Sequence, residues 1–483
     1  MAKMAIGDDW VAARSGAELE VVDPATEDVI ESVPDGGPAD VELAVKSASG
    51  AFAAWSKTDA EERAKLIRKG LALIEGNTQE IAETLVHEQG KPLVEARGEL
   101  QHFVHGMEYY ADLATKVRGA YQELPSALGP AFGMVIRRPI GVVAAIIPFN
   151  YPLTLMGTKV GPALATGNTV IVKPSETTPL ATLKVVELMR EAGLPAGVLN
   201  VVTGTGDSAG RALVEHPDVR RIAFTGSSDS GRKVMEIAGP QFKRITLELG
   251  GSDPVIVCPD ADLDKAAKST LIGRFWNNGQ SCLATKRAYV FSEVYEDFVE
   301  RLAAGAQRYE PGEGWTKAEK PRIRIGPLNS QRQRDTIERQ LEESLHKGGK
   351  VVTGGDRPKE HDRGFFFTPT VVTDAAPDSP VVTEEVFGPV LPVFRITDFD
   401  EGIRLANATQ FGLGSSIWTH DVRLIHKAAQ EIEAGMTWVN QIHYGYDEMP
   451  FGGIKQSGVG KEHGAEALDY YTELKSVVVG DLV

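Results

Sequence analysis

A chain of 483 residues exceeds what one ordinary core organises, so two or three lobes are expected. Its formal charge of -16 repels phosphate backbones and anionic membrane surfaces, which argues against nucleic acid and membrane partners. The two cysteines, Cys258 and Cys282, supply neither a disulfide framework nor a metal cluster, and the amino terminus lacks a signal-like apolar stretch, so the expected compartment is the cytoplasm.

From Pro38 to about Val117, apolar residues recur at three- and four-residue steps, predicting an α-rich first section. Thr58 and Glu61 have capping-box spacing ahead of AKLIRKGLALIEG. The stretch GAYQELPSALGPAFGMVIRRP breaks that period with prolines and glycines, as a hairpin or excursion does. Then come GVVAAII, NTVIVKP, GVLNVVTG, RIAFTGS and ITLELGG, short Val/Ile-rich runs separated by amphipathic helices such as TPLATLKVVELMREAG. Runs that do not alternate belong to strands covered on both faces, so this series reads as a parallel, Rossmann-like sheet. After Leu249 a second α/β series runs through DPVIVC, RAYVF, KVVTGG and PVLPVFRI. The fold class is therefore α/β. The closing run TELKSVVVG is a strand that must pair with its own chain or with another, and the local pattern leaves both open.

Cys258 ends an apolar run and reads as a small buried hydrophobe. Cys282 lies in NNGQSCLATKR, a polar, Gly-containing turn where a thiol meets solvent and substrate, and is the better nucleophile. Glu248, in LELGG, ends an apolar strand ahead of two glycines that permit close backbone approach. Burial there raises a carboxyl pKa toward that of a general base, although a salt-bridged glutamate fits the same pattern. Asn150, in IIPFNYP, follows the carboxyl end of a strand, where open α/β sheets bind ligands; its amide suits an oxyanion, and a turn asparagine between prolines is the plainer alternative. Lys173 and Glu176 follow the second strand of the series, where a dinucleotide fold places an acid on a ribose. FTGS leads into a helix whose first N–H groups suit a pyrophosphate. GTGDSAG, from Gly204 to Gly210, lacks the final spacing of a GxGxxG fingerprint.

PFN, VKPSE, FTGS, LELGG, GQSC, EEVFGP and PFGG, in this order and over essentially the whole chain, resemble the aldehyde dehydrogenase superfamily. The resemblance implies that Cys282 is the nucleophile, that Asn150 and the Cys282 N–H bind the oxyanion, and that Glu248 activates the deacylating water. It places Lys159 near the active site as well. It assigns NAD, with NADP use allowed, to a site including Ile147, Pro148, Phe149, Lys173, Ser175, Glu176, Gly206, Phe224, Gly226, Ser227 and Leu249, with Glu385 and Phe387 on the nicotinamide ribose. It divides the chain into a cofactor-binding domain (1–120 and 140–247), a catalytic domain (248–454) and a small β oligomerisation element (121–139 and 455–483), and implies a homodimer or homotetramer.

Position relative to these motifs makes Tyr151, Trp276, Ser281, Leu283, His443 and Tyr444 candidate substrate-pocket residues, a mixture that suits a polar or aromatic aldehyde over a long aliphatic one. GQSCLATKR also resembles the form in semialdehyde-oxidising members, yet no arginine cluster for a second carboxylate is evident. Two alternatives stand beside hydrolytic oxidation. A CoA-acylating enzyme of the same superfamily would not need Glu248, and a silent binding protein of this fold would not need Cys282, Glu248 and Asn150 together. No metal site is expected.

Overall fold

A computed structural model describes residues 2–125, 131–316 and 322–480. Short strands β1 (Met4–Ile6) and β2 (Asp9–Val11) and the hairpin of β3 (Glu18–Val22) with β4 (Val29–Pro34) open the chain. The α-rich section follows as α1 (Pro38–Trp55), α2 (Ala60–Gly76), α3 (Thr78–Gln89) and α4 (Leu93–Leu113). The expected capping box does not form. Helix α2 starts at Ala60 behind Asp59, and the Thr58 hydroxyl donates back to Ala54 O at 3.3 Å. A short hydroxyl bonds whichever backbone group lies nearest, and here the end of α1 is nearer.

The excursion is an antiparallel pair, β5 (Ala120–Leu124) and β6 (Ala131–Pro139). The Val/Ile-rich runs become β7 (Val142–Ile146), β8 (Thr169–Lys173), β9 (Leu199–Val201), β10 (Val219–Thr225) and β11 (Arg244–Glu248), parallel wherever they pair with one another. Between them run α5 (Pro152–Ala165), α6 (Leu180–Glu191), α7 (Arg211–Glu215) and α8 (Ser228–Ala238). Along β7, Val143 and Ala145 join one core while Val142, Ala144 and Ile146 join another, so both faces are covered as the unbroken apolar run requires.

The second series supplies β12 (Asp253–Val257), helix α9 (Leu263–Phe275), β13 (Thr285–Phe291), a minor pair β14 (Tyr309–Pro311) and β15 (Ile323–Ile325), then β16 (Lys350–Thr353), β17 (Thr370–Thr373), β18 (Val390–Ile396), β19 (Ser416–Trp418) and β20 (Trp438–Val439). All of these strands except β14 and β15 build a seven-stranded sheet ordered β16-β17-β18-β13-β12-β19-β20. The first sheet is eight-stranded, β2-β1-β9-β8-β7-β10-β11-β21, with β21 (Gly458–Val459) returning from late in the chain to lie beside β11. Strands β7, β8 and β9 step outward on one side, and β10 crosses back to the other side of β7. That reversal opens a crevice at the carboxyl ends of β7 and β10. Only Leu249–Ser252 separate β11 from β12, so Glu248 stands on the seam between the two sheets.

The terminal strand β22 (Thr472–Val479) pairs with β6 of its own chain from Thr472↔Pro139 to Val479↔Phe132, which answers the open question of its partner. It remains an edge of the sheet β22-β6-β5. Residues 126–130 and 481–483 of the expected oligomerisation element lie outside the described residues.

Tyr471, just ahead of β22, packs its ring 4.0 Å from the guanidinium of buried Arg221 on β10, and Arg221 also donates to Thr246 Oγ1 at 2.6 Å. Arg221→Met keeps the apolar stem and removes the cation, so it should cost about 2 kcal/mol and speed amide exchange along β22. A thermal melt and hydrogen exchange read at residues 472–479 check both effects.

Candidate active site

Helix α9 ends at Phe275, and the chain then makes a tight left-handed turn before β13. Asn277, Asn278 and Gly279 have φ of 51°, 54° and 71°, and both asparagines are buried. Side-chain amides tolerate this region where most residues do not. Asn278 Nδ2 donates to Gly326 O at 2.8 Å, and Gln280 accepts Asn329 N–H at 2.8 Å on Oε1. Cys282 follows, partly exposed, with its thiol pushed up to about 12 by burial against the opposing charge of Lys286.

Lys286 is itself buried, donating to Gly251 O at 2.7 Å, to Cys282 O at 3.3 Å and to Glu385. Glu385 also accepts Gly251 N–H at 3.0 Å, so a lysine, a carboxylate and the LELGG backbone lock around the Cys282 carbonyl. The glycines make room for this. A Cβ on Gly250 would stand 2.4 Å from Glu385 Oε2, and one on Gly251 would stand 2.8 Å from Cys282 O. Phe387 lies beside this cluster, its ring 5.5 Å from Lys286 Nζ and edge-on to Phe149 at 5.9 Å.

Asn150 comes from the other sheet, in the loop beyond β7. Its Nδ2 donates to Gln280 O at 3.1 Å, two residues before Cys282, so one amide proton is spent on the Cys282 loop. Tyr151 is next, its hydroxyl paired with Ser281 and its titration pushed well above the ordinary range by burial. Glu248 is 2 % exposed, and among the described residues neither of its carboxylate oxygens has a hydrogen-bond partner. Burial, then repulsion from Glu462, raise its pKa well above the ordinary value against the pull of Lys159 and Lys461. Gly452 allows the approach, because a Cβ there would meet Glu248 Oε1 at 2.6 Å. Lys159, fully buried on α5, reaches Glu462 Oε1 at 2.8 Å and Thr225 Oγ1 at 2.7 Å. Glu462 also accepts from Thr158 Oγ1 at 2.7 Å. Sequence reading missed Glu462: GKEHG has no local mark, and only the return of β21 beside β11 brings it to Glu248.

Most of the residues expected to bind a cofactor follow the carboxyl ends of β7 to β11. Lys173, at the end of β8 and 3 % exposed, lies 3.5 Å from Glu176, whose side chain is half exposed. Burial lowers the Lys173 pKa and Glu176 opposes that shift. Ser175 bonds Thr177 locally, and Ile147 N–H donates to Lys173 O at 3.0 Å. Gly206 opens a π-type turn, and a Cβ on it would face open space. Ser227 caps α8 by accepting Ser230 N–H at 3.2 Å, so the FTGS helix start is real. Gly226 N–H is committed to Glu248 O at 3.0 Å, and a Cβ there would strike Phe224 at 2.6 Å. Leu249 packs on Gly231 of α8. A buried cation beside an exposed acid, facing a helix start across the crevice, fits a dinucleotide.

Of the expected substrate-pocket residues, His443 uses Nδ1 on Leu283 O at 2.9 Å, with Asp253 Oδ2 3.3 Å away, and stacks on Trp438. Tyr444 pairs its hydroxyl with His102 on α4 and meets Tyr446 edge-on at 5.1 Å. Trp276 is 43 % exposed. Outside this site, no helix among the described residues is long and apolar enough to cross a membrane.

The aldehyde dehydrogenase family model matches residues 10–477. The chain is 40% identical to a phenylacetaldehyde dehydrogenase of Pseudomonas fluorescens over 99% of its own length and 95% of that protein's. It is 39% identical to a mitochondrial succinate-semialdehyde dehydrogenase of Arabidopsis thaliana, over 99% and 89%. Among solved structures, the NAD+ complex of an aldehyde dehydrogenase from Bacillus cereus superposes with a TM-score of 0.95 at 39% identity, covering 99% of this chain and 96% of that one.

The raised thiol makes a direct prediction. Alkylation of Cys282 by iodoacetamide should quicken about tenfold per pH unit from neutral pH upward, since only the thiolate reacts. Cys258, also pushed up to about 12 and 1 % exposed, should stay unmodified until the protein unfolds. Intact-mass kinetics on wild type and Cys282→Ser check this, and a pH-independent rate would mean that the thiolate is stabilised in the resting protein.

Proposed function

The chain belongs to the aldehyde dehydrogenase family and is an oxidoreductase acting on aldehydes, and on that premise we propose that it oxidises an aldehyde to a carboxylate through a thioester on Cys282. The observation that carries this reading is the convergence on one seam of a thiol, a buried amide donor and a buried, unpartnered carboxyl, each suited to a different step. The Cys282 thiolate adds to the carbonyl, and the oxyanion so formed is held by the free Asn150 amide proton and the Cys282 N–H. NAD(P), when bound, supplies the hydride acceptor. Glu248 then takes a proton from the water that attacks the thioester, releasing the acid and restoring the thiol. The Lys159–Glu462 pair beside Glu248 sets the charge around that base.

A carboxyl left without hydrogen bonds at 2 % exposure favours hydrolysis over transfer to CoA, because only the hydrolytic route uses a base there. NAD is the proposed cofactor, with Glu176 on the ribose and Lys173 and Ser175 able to receive a 2′-phosphate. Gly226 and Ser227 would face the pyrophosphate, and Glu385 and Phe387 the nicotinamide ribose.

The aldehyde is an uncharged, aromatic one. Lys286, whose charge acts on Cys282, is engaged by Glu385, Lys159 beside Glu248 by Glu462, and Arg274 at the end of α9 by the carbonyls of Val386 and Thr285. A second carboxylate on the substrate would therefore find its counter-charges taken, whereas Trp276, Tyr444 and Tyr446 offer ring faces. Residues 1–120 with 140–247 would serve as the cofactor-binding unit and 248–454 as the catalytic unit, while the oligomerisation unit would be 121–139 with the end of the chain from β22, since β21 and Glu462 join the seam. Exposed Tyr121, Leu474 and Val478 on the β22-β6-β5 sheet support a homodimer or homotetramer built through that sheet.

With a panel of aromatic aldehydes, semialdehydes and hydroxyaldehydes, aryl aldehydes should reduce NAD fastest and Cys282→Ala should abolish turnover. Retained activity in that variant would defeat the mechanism, and a preference for dicarboxylic semialdehydes would defeat the substrate class. Glu248→Gln should keep the first-turnover burst and slow the steady state about 100-fold, read by stopped-flow absorbance. Leu474→Glu should shift the sedimentation coefficient toward that of a monomer.

A further inference from the structure

The nucleophile and its oxyanion donor are carried by different sheets. Asn150 lies beyond β7 of the first sheet, and Cys282 precedes β13 of the second, with no ladder between those strands. Besides the direct bond from Asn150 Nδ2 to Gln280 O, the segment at the start of α4 ties both loops together. Lys91 is fully buried, and its ammonium donates to Asn150 O at 2.8 Å and to Glu99. Glu99 accepts the N–H of Leu153 at 2.8 Å and of Thr154 at 3.4 Å, in the first turn of α5 behind Asn150. One helical turn earlier, Glu95 accepts the N–H of Asn277 at 2.7 Å. Asn277 Nδ2 closes the circuit by donating to the same Asn150 carbonyl at 2.9 Å.

We propose that Lys91, Glu95 and Glu99 are positioning residues that hold the Asn150 amide and the Cys282 thiol in one reactive geometry, governing the rate of thiol addition and not the affinity for aldehyde or cofactor. Helix folding alone asks for less. A carboxylate on the α5 N-terminus satisfies orphan donors, and Glu99 would suffice for that. Glu95 instead grips the backbone of a turn in which consecutive residues, two of them not glycine, have positive φ. Such a turn persists only where its surroundings over-determine it. Released, it would relax toward ordinary angles and carry Cys282 with it, five residues further along the chain. Burial pushes the Glu95 carboxyl up to about 7, and its oxygen accepts from Asn277 in either protonation state, so a glutamine is a close mimic.

The inference rests on the proposed role of Cys282, and its test separates the two. Glu95→Leu should lower kcat about 10- to 100-fold, the scale of a misplaced reacting group, while KM and cofactor Kd stay near wild type. Glu95→Gln should recover most of the rate. Lys91→Met with Glu99→Leu removes both members of the buried pair together and should show the same kcat loss in a folded protein. Alkylation of Cys282 by iodoacetamide reports the thiol without turnover and should change in both slow variants. If Glu95→Leu and the double variant keep wild-type kcat, if they raise KM alone, or if Glu95→Gln is as slow as Glu95→Leu, the positioning role is overturned. A wild-type enzyme whose aldehyde oxidation does not depend on Cys282 would instead defeat the mechanism beneath it.

Discussion

Four residues, Leu249 to Ser252, are all that separate the last parallel strand of one sheet from the first strand of the other. A link this short cannot span a gap, so the two sheets meet along a seam and Glu248 is placed on it. Two glycines at its centre let Glu385 and the Cys282 carbonyl approach to distances that any side chain would forbid. The candidate site is thus a consequence of a connection between sheets: Glu248 stands at its start, and Lys286 ties the Gly251 carbonyl to that of Cys282.

The same seam explains why so many charges are buried around it. Lys91 with Glu99, Lys159 with Glu462, and Lys286 with Glu385 each bury a cation beside a carboxylate. A charge without a partner in such a place costs several kcal/mol, roughly, so partners are expected for groups whose task is positional. Glu248 is the departure from that pattern, with no hydrogen bond among the described residues to either oxygen and a pKa raised well above the ordinary value. Burial of this kind favours the protonated carboxyl, and once ionised such a group is a stronger base than an ordinary carboxylate. Glu95 and Glu88, pushed up to about 7 and about 8 by burial, bind protons more tightly in the folded chain. Their contribution to stability is full below the ordinary carboxyl range and is lost as pH rises through those values.

Much of the fold was legible because its signals are local. Continuous Val/Ile runs marked the parallel strands, and helical periods marked α1 to α4. Cys282, Glu248 and Asn150 were legible as motif residues. What local reading could not see was pairing over distance. TELKSVVVG is an obvious strand whose partner β6 lies more than three hundred residues earlier, and nothing in either string selects the other. Thr58 failed as a cap because its hydroxyl found the end of α1 first. Glu462 and Lys91 carry no local mark, since a buried ion pair is defined by where two chain segments meet.

By itself, then, the sequence determined the periodicities, the parallel character of the strands and the presence of a thiol, an amide and a carboxyl in motif positions, because each of these is encoded within a few consecutive residues. Only the tertiary structure decided which charges are paired, which carboxyl is left without a hydrogen bond, and how a thiol on one sheet faces an amide on the other. Those properties depend on desolvation and on distances between segments far apart in the chain, and both exist only once the sheets have closed on their seam.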